Sequence, residues 1–138
     1  MAKGARAYPV RSMKAKLTYT GIRVRDLDAS IRFYTTVLGM TVRARGVLEP
    51  TGGTVADLAS DPDGAVLELN YYPPGSEFDS AFVAGEGLDH LGFQVEDLDR
   101  AVAEASKAGH PVVHEVRSGP KRWVYIEDPN GIWIELFA

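Results

Sequence analysis

The sequence predicts an α+β fold made of two tandem βαβββ modules, because the two halves of the chain repeat one another in motif and in pattern. Five residues of the first half recur with the same identity 71 positions later, namely Gly21, Val24, Asp26, Leu27 and Asp28. The sequence Asp-Pro-Asp-Gly at 61–64 recurs 67 positions later as Asp-Pro-Asn-Gly at 128–131. In each half, one strand pattern precedes a helix pattern and three more strand patterns follow it.

The first module opens with a strand at 17–25, where polarity alternates with a period of two. Ile22 and Val24 lie on its apolar face. Tyr19 and Arg23 lie on its polar face.

A helix is predicted next, because four apolar residues are spaced as one helical face: Leu27, Ile31, Tyr34 and Leu38. Asp26 or Asp28 can cap its N-terminus, and Gly39 can end it in the left-handed conformation. A turn is predicted at 61–64 from its composition. The strands that complete the module are predicted at 41–45, 54–59 and 65–72.

The second module repeats this order. Its first strand, 89–95, carries His90, Gly92 and Gln94 on its polar face. The helical spacing recurs at Leu98, Val102 and Ala105, and Gly109 ends the helix. The remaining strands are predicted at 112–116, 122–127 and 132–137.

These elements predict one domain at 17–138, which is long enough to bury about 70% of its unfolded surface. Its modules are 17–72 and 88–138, and the Pro- and Gly-rich segment 73–87 is the connector between them. Residues 1–16 are a basic leader. Because one helix covers one face of each sheet, we expect the opposite, polar faces to line a cleft.

Composition restricts the possible functions. The chain has no cysteine, so a metal ion would need His, carboxylate or phenol ligands. Five of the 15 basic residues lie in 1–16, which leaves ten basic against 19 acidic residues and a net charge of −9 in the remainder. We therefore predict no nucleic-acid partner. The leader could still be a nucleic-acid or membrane arm, but its scattered charges are more typical of a flexible segment.

No apolar run approaches the about 20 residues of a membrane span, and residues 1–16 lack a signal-peptide core. We predict no membrane partner and a cytoplasmic location.

Two glutamates at matched positions are the strongest functional signal. Glu68 and Glu135 lie 67 positions apart within apolar strands, where a buried carboxylate is costly unless it is paired or metal-bound. One such glutamate alone would more simply point to solvent. Two of them, with His90 on the polar face of a partner strand, indicate a shared site. We predict that these three residues bind a metal and that Glu135 and Glu68 are catalytic.

Four further residues are predicted to contact a substrate: Tyr19, Arg23, Gln94 and Trp123. The phenol of Tyr19 is a poor metal ligand beside an imidazole. Arg23 could be a surface charge or could hold an anion, and its face favours the second interpretation. Gln94 shares the polar face of its strand with His90, and Trp123 is a candidate pocket wall.

The other two histidines are predicted to be structural. His110 follows a helix end, where a cation is favoured, and His114 has no partner in the repeat. The remaining aromatic residues, among them Tyr71, Phe78 and Tyr125, are expected in the core or in a pocket wall.

From about residue 16 to 137, the sequence resembles the vicinal oxygen chelate superfamily, which contains glyoxalase I, bleomycin-resistance proteins, extradiol dioxygenases and methylmalonyl-CoA epimerase. The stretches VRDLDASIRFYTTVLGM at 24–40 and EDPNGIWIEL at 127–136 resemble lactoylglutathione lyase in particular. The resemblance implies paired modules that form a cup-shaped, eight-stranded mixed sheet around one divalent metal, commonly in homodimers. The positions of the four lyase ligands, two His and two Glu, correspond to Tyr19, Glu68, His90 and Glu135.

The chain departs from the lyase pattern at two places. Tyr19 replaces the first-strand imidazole, which is expected to weaken metal binding. The stretch 117–122 is shorter than the glycine-rich basic loop of glutathione-using lyases, which argues against glutathione as the substrate. Glu68 nevertheless favours the lyase-like branch, because dioxygenases lack a ligand there and the epimerase pattern carries Gln.

The leading hypothesis is a homodimeric, metal-dependent lyase or isomerase of glyoxalase I type. It would act on a small carbonyl substrate through an enediolate, with Ni, Zn, Mn, Co or Fe as the metal. One alternative is a metal-free, bleomycin-resistance-type binding protein with Tyr19, Trp123 and Phe78 as an aromatic wall. Another is an extradiol dioxygenase, for which a second histidine ligand is wanted.

Overall fold

The computed structural model describes residues 18–48, 52–76, 79, 81, 83, 88 and 90–138. The first module contains β1 (Tyr19–Arg23), α1 (Leu27–Arg32), β2 (Thr41–Leu48), β3 (Gly53–Ala59) and β4 (Val66–Tyr71). The second contains β5 (His90–Gln94), α2 (Leu98–Lys107), β6 (His114–Ser118), β7 (Lys121–Glu127) and β8 (Trp133–Phe137). The duplicated order of elements confirms the predicted α+β fold of two βαβββ modules.

Both helices begin at aspartates of the repeated motif. Asp26 has an extended backbone, and its Oδ1 accepts a hydrogen bond from the Ala29 amide at 2.9 Å. Asp97 caps α2 in the same way, accepting from the Arg100 amide at 3.1 Å. These carboxylates satisfy amides that lack an intrahelical partner. Of the two aspartates proposed as the cap of α1, Asp26 is therefore the one that caps it.

The apolar spacing predicts an α-helix that continues to Leu38. The α-helix of the structure ends earlier. A π-helical segment, Phe33–Val37, follows α1. The hydroxyls of Thr35 and Thr36 donate to the carbonyls of Ile31 and Arg32 in the preceding turn. Such bonds compete with backbone bonds and favour a local widening. The predicted stop is confirmed, since Gly39 has a φ of 69°.

Each module forms a four-stranded mixed sheet. The strand orders are β1-β4-β3-β2 and β5-β8-β7-β6. The pairs β1–β4 and β5–β8 are parallel, and the others are antiparallel. The resemblance implies one cup-shaped sheet of eight strands. Within a single chain, the eight described strands instead form two separate sheets of four.

The core lies between each sheet and its helix. Side chains such as Ile22, Leu69, Ile134 and Leu136 are buried on the sheet faces that pack against α1 and α2. This agrees with the predicted apolar faces. No helix of the described residues covers the opposite faces.

The turn at 128–131 joins the two modules through buried polar contacts. The Tyr34 hydroxyl donates to Asp128 Oδ2 at 3.0 Å, and Asn130 Nδ2 donates to Ser30 Oγ at 3.1 Å. Burial, together with the Asp128 carboxylate, raises the pKa of Tyr34 above its ordinary value, so the phenol stays a donor. The modules of one chain therefore meet on the side of α1.

Several predictions fall outside the described residues. They concern the leader 1–16, most of the connector 73–87, and Phe78. The domain boundaries accordingly stay predictions. Within the described part of the chain, no helix has the length and apolar character needed to span a bilayer.

Candidate functional site

Strand register places the predicted site residues of the second module on its uncovered sheet face. Gly92 and Tyr125 are both directly opposite Glu135 on the strands that flank β8. His90 is opposite Trp133 on the same face. Residues directly opposite one another in a sheet share a face. We call the uncovered face of either sheet its site face.

Three residues make one hydrogen-bonded cluster on this face, and we call His90, Tyr125 and Glu135 the imidazole half-site. His90 Nε2 lies 3.2 Å from Glu135 Oε2, and the Tyr125 hydroxyl donates to the same oxygen at 3.0 Å. The His90 and Glu135 side chains are 35% and 21% exposed, so a small molecule can reach them. A neutral imidazole and a carboxylate each offer a lone pair to a cation.

The first module carries two carboxylates at the equivalent place, and we call Asp57 and Glu68 the carboxylate half-site. Asp57 is directly opposite Glu68 on β3, and Gly21 is opposite Glu68 on β1. A Cβ at Gly21 would lie 3.2 Å from Asn70 Nδ2, so the glycine leaves room for this amide, while Glu68 Oε1 would be at an ordinary contact distance of 3.8 Å. Like charges placed opposite one another are destabilising.

Asp57 also has an oxygen without a partner. Its Oδ1 is buried and has no hydrogen-bond donor in the part of the chain that the structure describes. A buried polar atom left unsatisfied costs about 1–3 kcal/mol. A cation bound beside the two carboxylates would remove both the repulsion and this cost, so the donor chemistry fits a metal ion.

A single chain brings together two of the three predicted metal ligands. His90 and Glu135 are in contact, whereas Glu68 belongs to the other sheet. In the described ranges, no group of three His or acidic side chains is placed to hold a metal ion. The assignment of the three metal ligands therefore stays a prediction. Within one chain, the described residues do not bring Glu68 to His90 and Glu135.

The four predicted substrate residues all lie on site faces. Tyr19 is 54% exposed, and its strand position puts it on the face of Glu68. Arg23 is on that face too, where it forms an ion pair with Asp79 at 3.0 Å. In the second sheet, Gln94 and Trp123 are both opposite Phe137, on the face of Glu135. Their contact with a substrate stays a prediction.

His114 is a site-face residue that sequence reasoning missed. It is predicted to be structural, whereas the structure stacks its ring on Trp133, with centroids 5.8 Å apart, and places it 6.0 Å from the Tyr125 ring. The register His114 to Tyr125 fixes this face. The sequence places residues 112, 114 and 116 on one face of the strand. Which face of the sheet this is depends on how β6 pairs with β7, and the sequence does not show that pairing. His110 does have structural contacts, with the Glu127 carbonyl at 2.9 Å and with the Phe33 ring.

The arginines near the end of β6 point away from this face. Arg122 pairs with Asp99 of α2 and with Glu115, and Arg117 Nη2 lies 3.1 Å from Glu115 Oε1. The hydrogen bond from Arg122 holds the pKa of Glu115 below its ordinary value. Because Arg122 alternates with Trp123 and Tyr125 along β7, it lies on the helix side of the sheet.

A cavity of about 480 Å³ lies elsewhere, next to α2. It is lined by residues such as Phe93, Val95 and Leu136, and by none of the half-site residues. Neither half-site depends on this cavity.

The chain that forms this fold and these site faces belongs to a known class of protein. Residues 16–136 match the family model of the glyoxalase/bleomycin resistance protein/dioxygenase superfamily. The chain belongs to this superfamily, which confirms the family predicted from the sequence.

Several relatives within the superfamily are glyoxalases by name. The chain is 32% identical over 126 residues to a probable lactoylglutathione lyase of Vibrio parahaemolyticus, with 88% of each chain covered. It is 31% identical over 126 residues to the lactoylglutathione lyase of Salmonella typhimurium, which covers 88% of this chain and 90% of that one. The solved structure of the trypanothione-dependent glyoxalase I of Leishmania major has a TM-score of 0.73 and 33% identity, covering 90% of this chain and 86% of that one.

Proposed function

We propose that the protein is a metal-dependent lyase or isomerase of glyoxalase I type that acts on a small carbonyl substrate through an enediolate. The observation that carries the proposal is the accessible contact between His90 and Glu135 on the site face. The glyoxalase relatives support the same reaction class.

Three residues would hold one divalent ion: His90, Glu135 and Glu68. An imidazole with two carboxylates suits Ni, Zn, Mn, Co or Fe. When bound, the ion would polarise the substrate carbonyl and stabilise the negative charge that develops on its oxygens. The unpartnered oxygen of Asp57 beside Glu68 supports a cation at this place.

A homodimer would complete the ligand set. The modules of one chain meet through α1 and the turn at 128–131, which leaves both site faces uncovered by their own helices. If the first sheet of one copy faced the second sheet of another, Glu68 of one copy would approach His90 and Glu135 of the other. A two-fold dimer forms two such sites.

Glu135 would move the proton. Its carboxylate takes a proton from the carbon beside the substrate carbonyl and returns it to the neighbouring carbon. Tyr125 donates to Glu135 Oε2 and so fixes the orientation of the carboxylate. Glu68 is the second candidate for this proton transfer. A cytoplasmic location remains a prediction from the sequence.

The test combines metal analysis with Glu135→Gln. Protein purified without chelator is expected to contain one divalent ion per chain, and Glu135→Gln is expected to lose about 10²–10⁴-fold in kcat for isomerisation of an α-ketoaldehyde thiol adduct. Glu104→Gln, which changes an exposed carboxylate of α2 that pairs with Arg100, is the control and should retain activity. Metal-free protein together with unchanged activity of Glu135→Gln would overturn the proposal.

A second candidate function is metal-free ligand binding. It is favoured by Tyr19, which stands in place of an imidazole ligand and is 54% exposed. Thermal unfolding distinguishes the two functions, because a ligand that binds only the native state raises the melting temperature. A rise with divalent ions supports the enzyme. A rise with a planar aromatic compound but with no ion supports the binding protein.

A further inference from the structure

We propose that the substrate of this site carries a planar aromatic group beside its two neighbouring oxygens, and that three rings of the second sheet recognise it. We call His114, Tyr125 and Trp133 the ring wall. The inference deepens the proposed function and rests on it, because the wall adjoins the imidazole half-site.

The ring wall is a continuous surface. The centroids of Tyr125 and Trp133 are 5.1 Å apart, and those of His114 and Trp133 are 5.8 Å apart with planes 28° from parallel. The His90 ring meets Tyr125 edge-on at 5.6 Å. These separations lie within the range in which aromatic rings attract one another.

The wall adjoins the reacting groups and, within a single chain, is open to a ligand. Tyr125 is hydrogen-bonded to Glu135, and Trp133 is opposite His90 in the sheet. Trp133 is also 37% exposed, although large aromatic side chains are usually more buried than this. Its indole Nε1 donates to Glu127 Oε1 at 3.2 Å, which holds the ring in place.

The charges around the wall do not suit a substrate rich in carboxylates. Glu127 and Glu135 share its face, whereas Arg122 is directed to Asp99 and Glu115 on the opposite side. Arg117 also pairs with Glu115. Lys121 lies on the same face as the wall but at the other end of β7, opposite Ser118 and separated from Tyr125 by Trp123. Two carboxylates therefore adjoin the wall more closely than this one cation, and an uncharged aromatic carbonyl compound needs only the rings.

Two probes with identical chelating oxygens test this inference. Benzohydroxamate carries a ring, and acetohydroxamate carries a methyl group in its place. Calorimetric titration of the full chain loaded with a divalent ion is expected to give a Kd at least about fivefold lower for benzohydroxamate. The ratio of the two Kd values is expected to fall towards one in Trp133→Ala and to be retained in Trp133→Phe.

The matched control is Arg117→Ala, on the opposite face of the sheet, which should leave the ratio unchanged. Thermal unfolding of each variant checks that it remains folded. Because Trp133 is partly exposed, Trp133→Ala should fold. His114→Ala is a second variant that should lower the ratio if Trp133→Ala does not fold.

Repeating the titrations without metal separates the inference from the proposed function. If the inference is wrong and the function right, both probes bind only with metal and with equal Kd values. If the function is wrong and the inference right, benzohydroxamate is preferred equally with and without metal. Failure of both probes to bind under either condition, or a preference that Trp133→Ala and His114→Ala leave intact, overturns the inference.

Discussion

The two modules differ at one matched position, the residue directly opposite the repeated glutamate on the neighbouring antiparallel strand. In the second module this residue is Tyr125, which donates a hydrogen bond to Glu135. In the first module it is Asp57, which brings a second carboxylate to Glu68 and has a buried oxygen with no donor among the described residues. The same backbone therefore supports one half-site with a hydrogen-bonded glutamate and one with two carboxylates opposite each other.

The repeated turns differ in the same way. Asp128 and Asn130 are buried and make contacts between the modules, whereas residues 61–64 are mostly exposed. Asp128 accepts hydrogen bonds from Tyr34, Asn130 and Ile132. The turn sequence is repeated, and its second copy makes buried hydrogen bonds between the modules.

The largest expected effect comes from changing these turns in parallel. Asp128→Ala should lower the free energy of unfolding by about 3 kcal/mol, because it leaves several buried donors without an acceptor. Asp61→Ala, the matched variant in the exposed turn, should cost less than about 0.5 kcal/mol. Denaturant unfolding followed by circular dichroism measures both. Equal losses would mean that the two turns have the same role.

The next effect is on catalysis. Tyr125→Phe removes the donor to Glu135 but keeps the ring, so kcat should fall about tenfold while KM changes little. Steady-state kinetics on the metal-loaded protein measure this split. Tyr71→Phe, on the helix side of the first sheet, is the control and should retain activity. A rise in KM alone would show that Tyr125 binds substrate without orienting Glu135.

The helix caps should behave alike, since their surroundings are alike. Asp26→Ala and Asp97→Ala each remove one capping hydrogen bond from an exposed side chain. Each should cost about 1 kcal/mol of stability, within a few tenths of the other. Thermal unfolding of the two variants makes the comparison. A difference as large as that between the two turns would show that the modules are not equivalent even in their helices.

The smallest expected effect is at the carboxylate half-site. Asp57→Asn removes the like charge opposite Glu68, and should raise the stability of the metal-free protein by about 0.5 kcal/mol. The same change should reduce the rise in melting temperature on adding a divalent ion, because the cation loses a neighbouring negative charge. Glu127→Gln serves as the control on the other sheet. If Asp57→Asn leaves the metal-dependent rise unchanged, Asp57 does not act on the ion.

The sequence predicts those features that depend on neighbouring residues. The aspartate cap of α1, the glycine stops and the strand faces of His90 and Glu135 all follow from local spacing. The π-helical segment after α1 is not predicted, because Thr35 and Thr36 hydroxyls compete with the backbone in a way that apolar spacing does not reveal.

Features that depend on how strands and modules pair are not predicted from local spacing. The face of His114 depends on the register between β6 and β7. The division of eight strands between two sheets depends on whether modules face each other within a chain or between chains. For the same reason local spacing leads to the prediction that His90, Glu135 and Glu68 form one set, but it does not predict how the two sheets that carry them are placed.

Mixing two inactive variants tests the shared site most directly. Glu68→Gln and His90→Ala should each bind a divalent ion weakly as homodimers. After unfolding and refolding together, half of the dimers should be mixed, and each mixed dimer should contain one site with all three ligands intact. We expect recovery of about a quarter of the wild-type metal stoichiometry and activity. No recovery from a mixture shown to contain mixed dimers would contradict it.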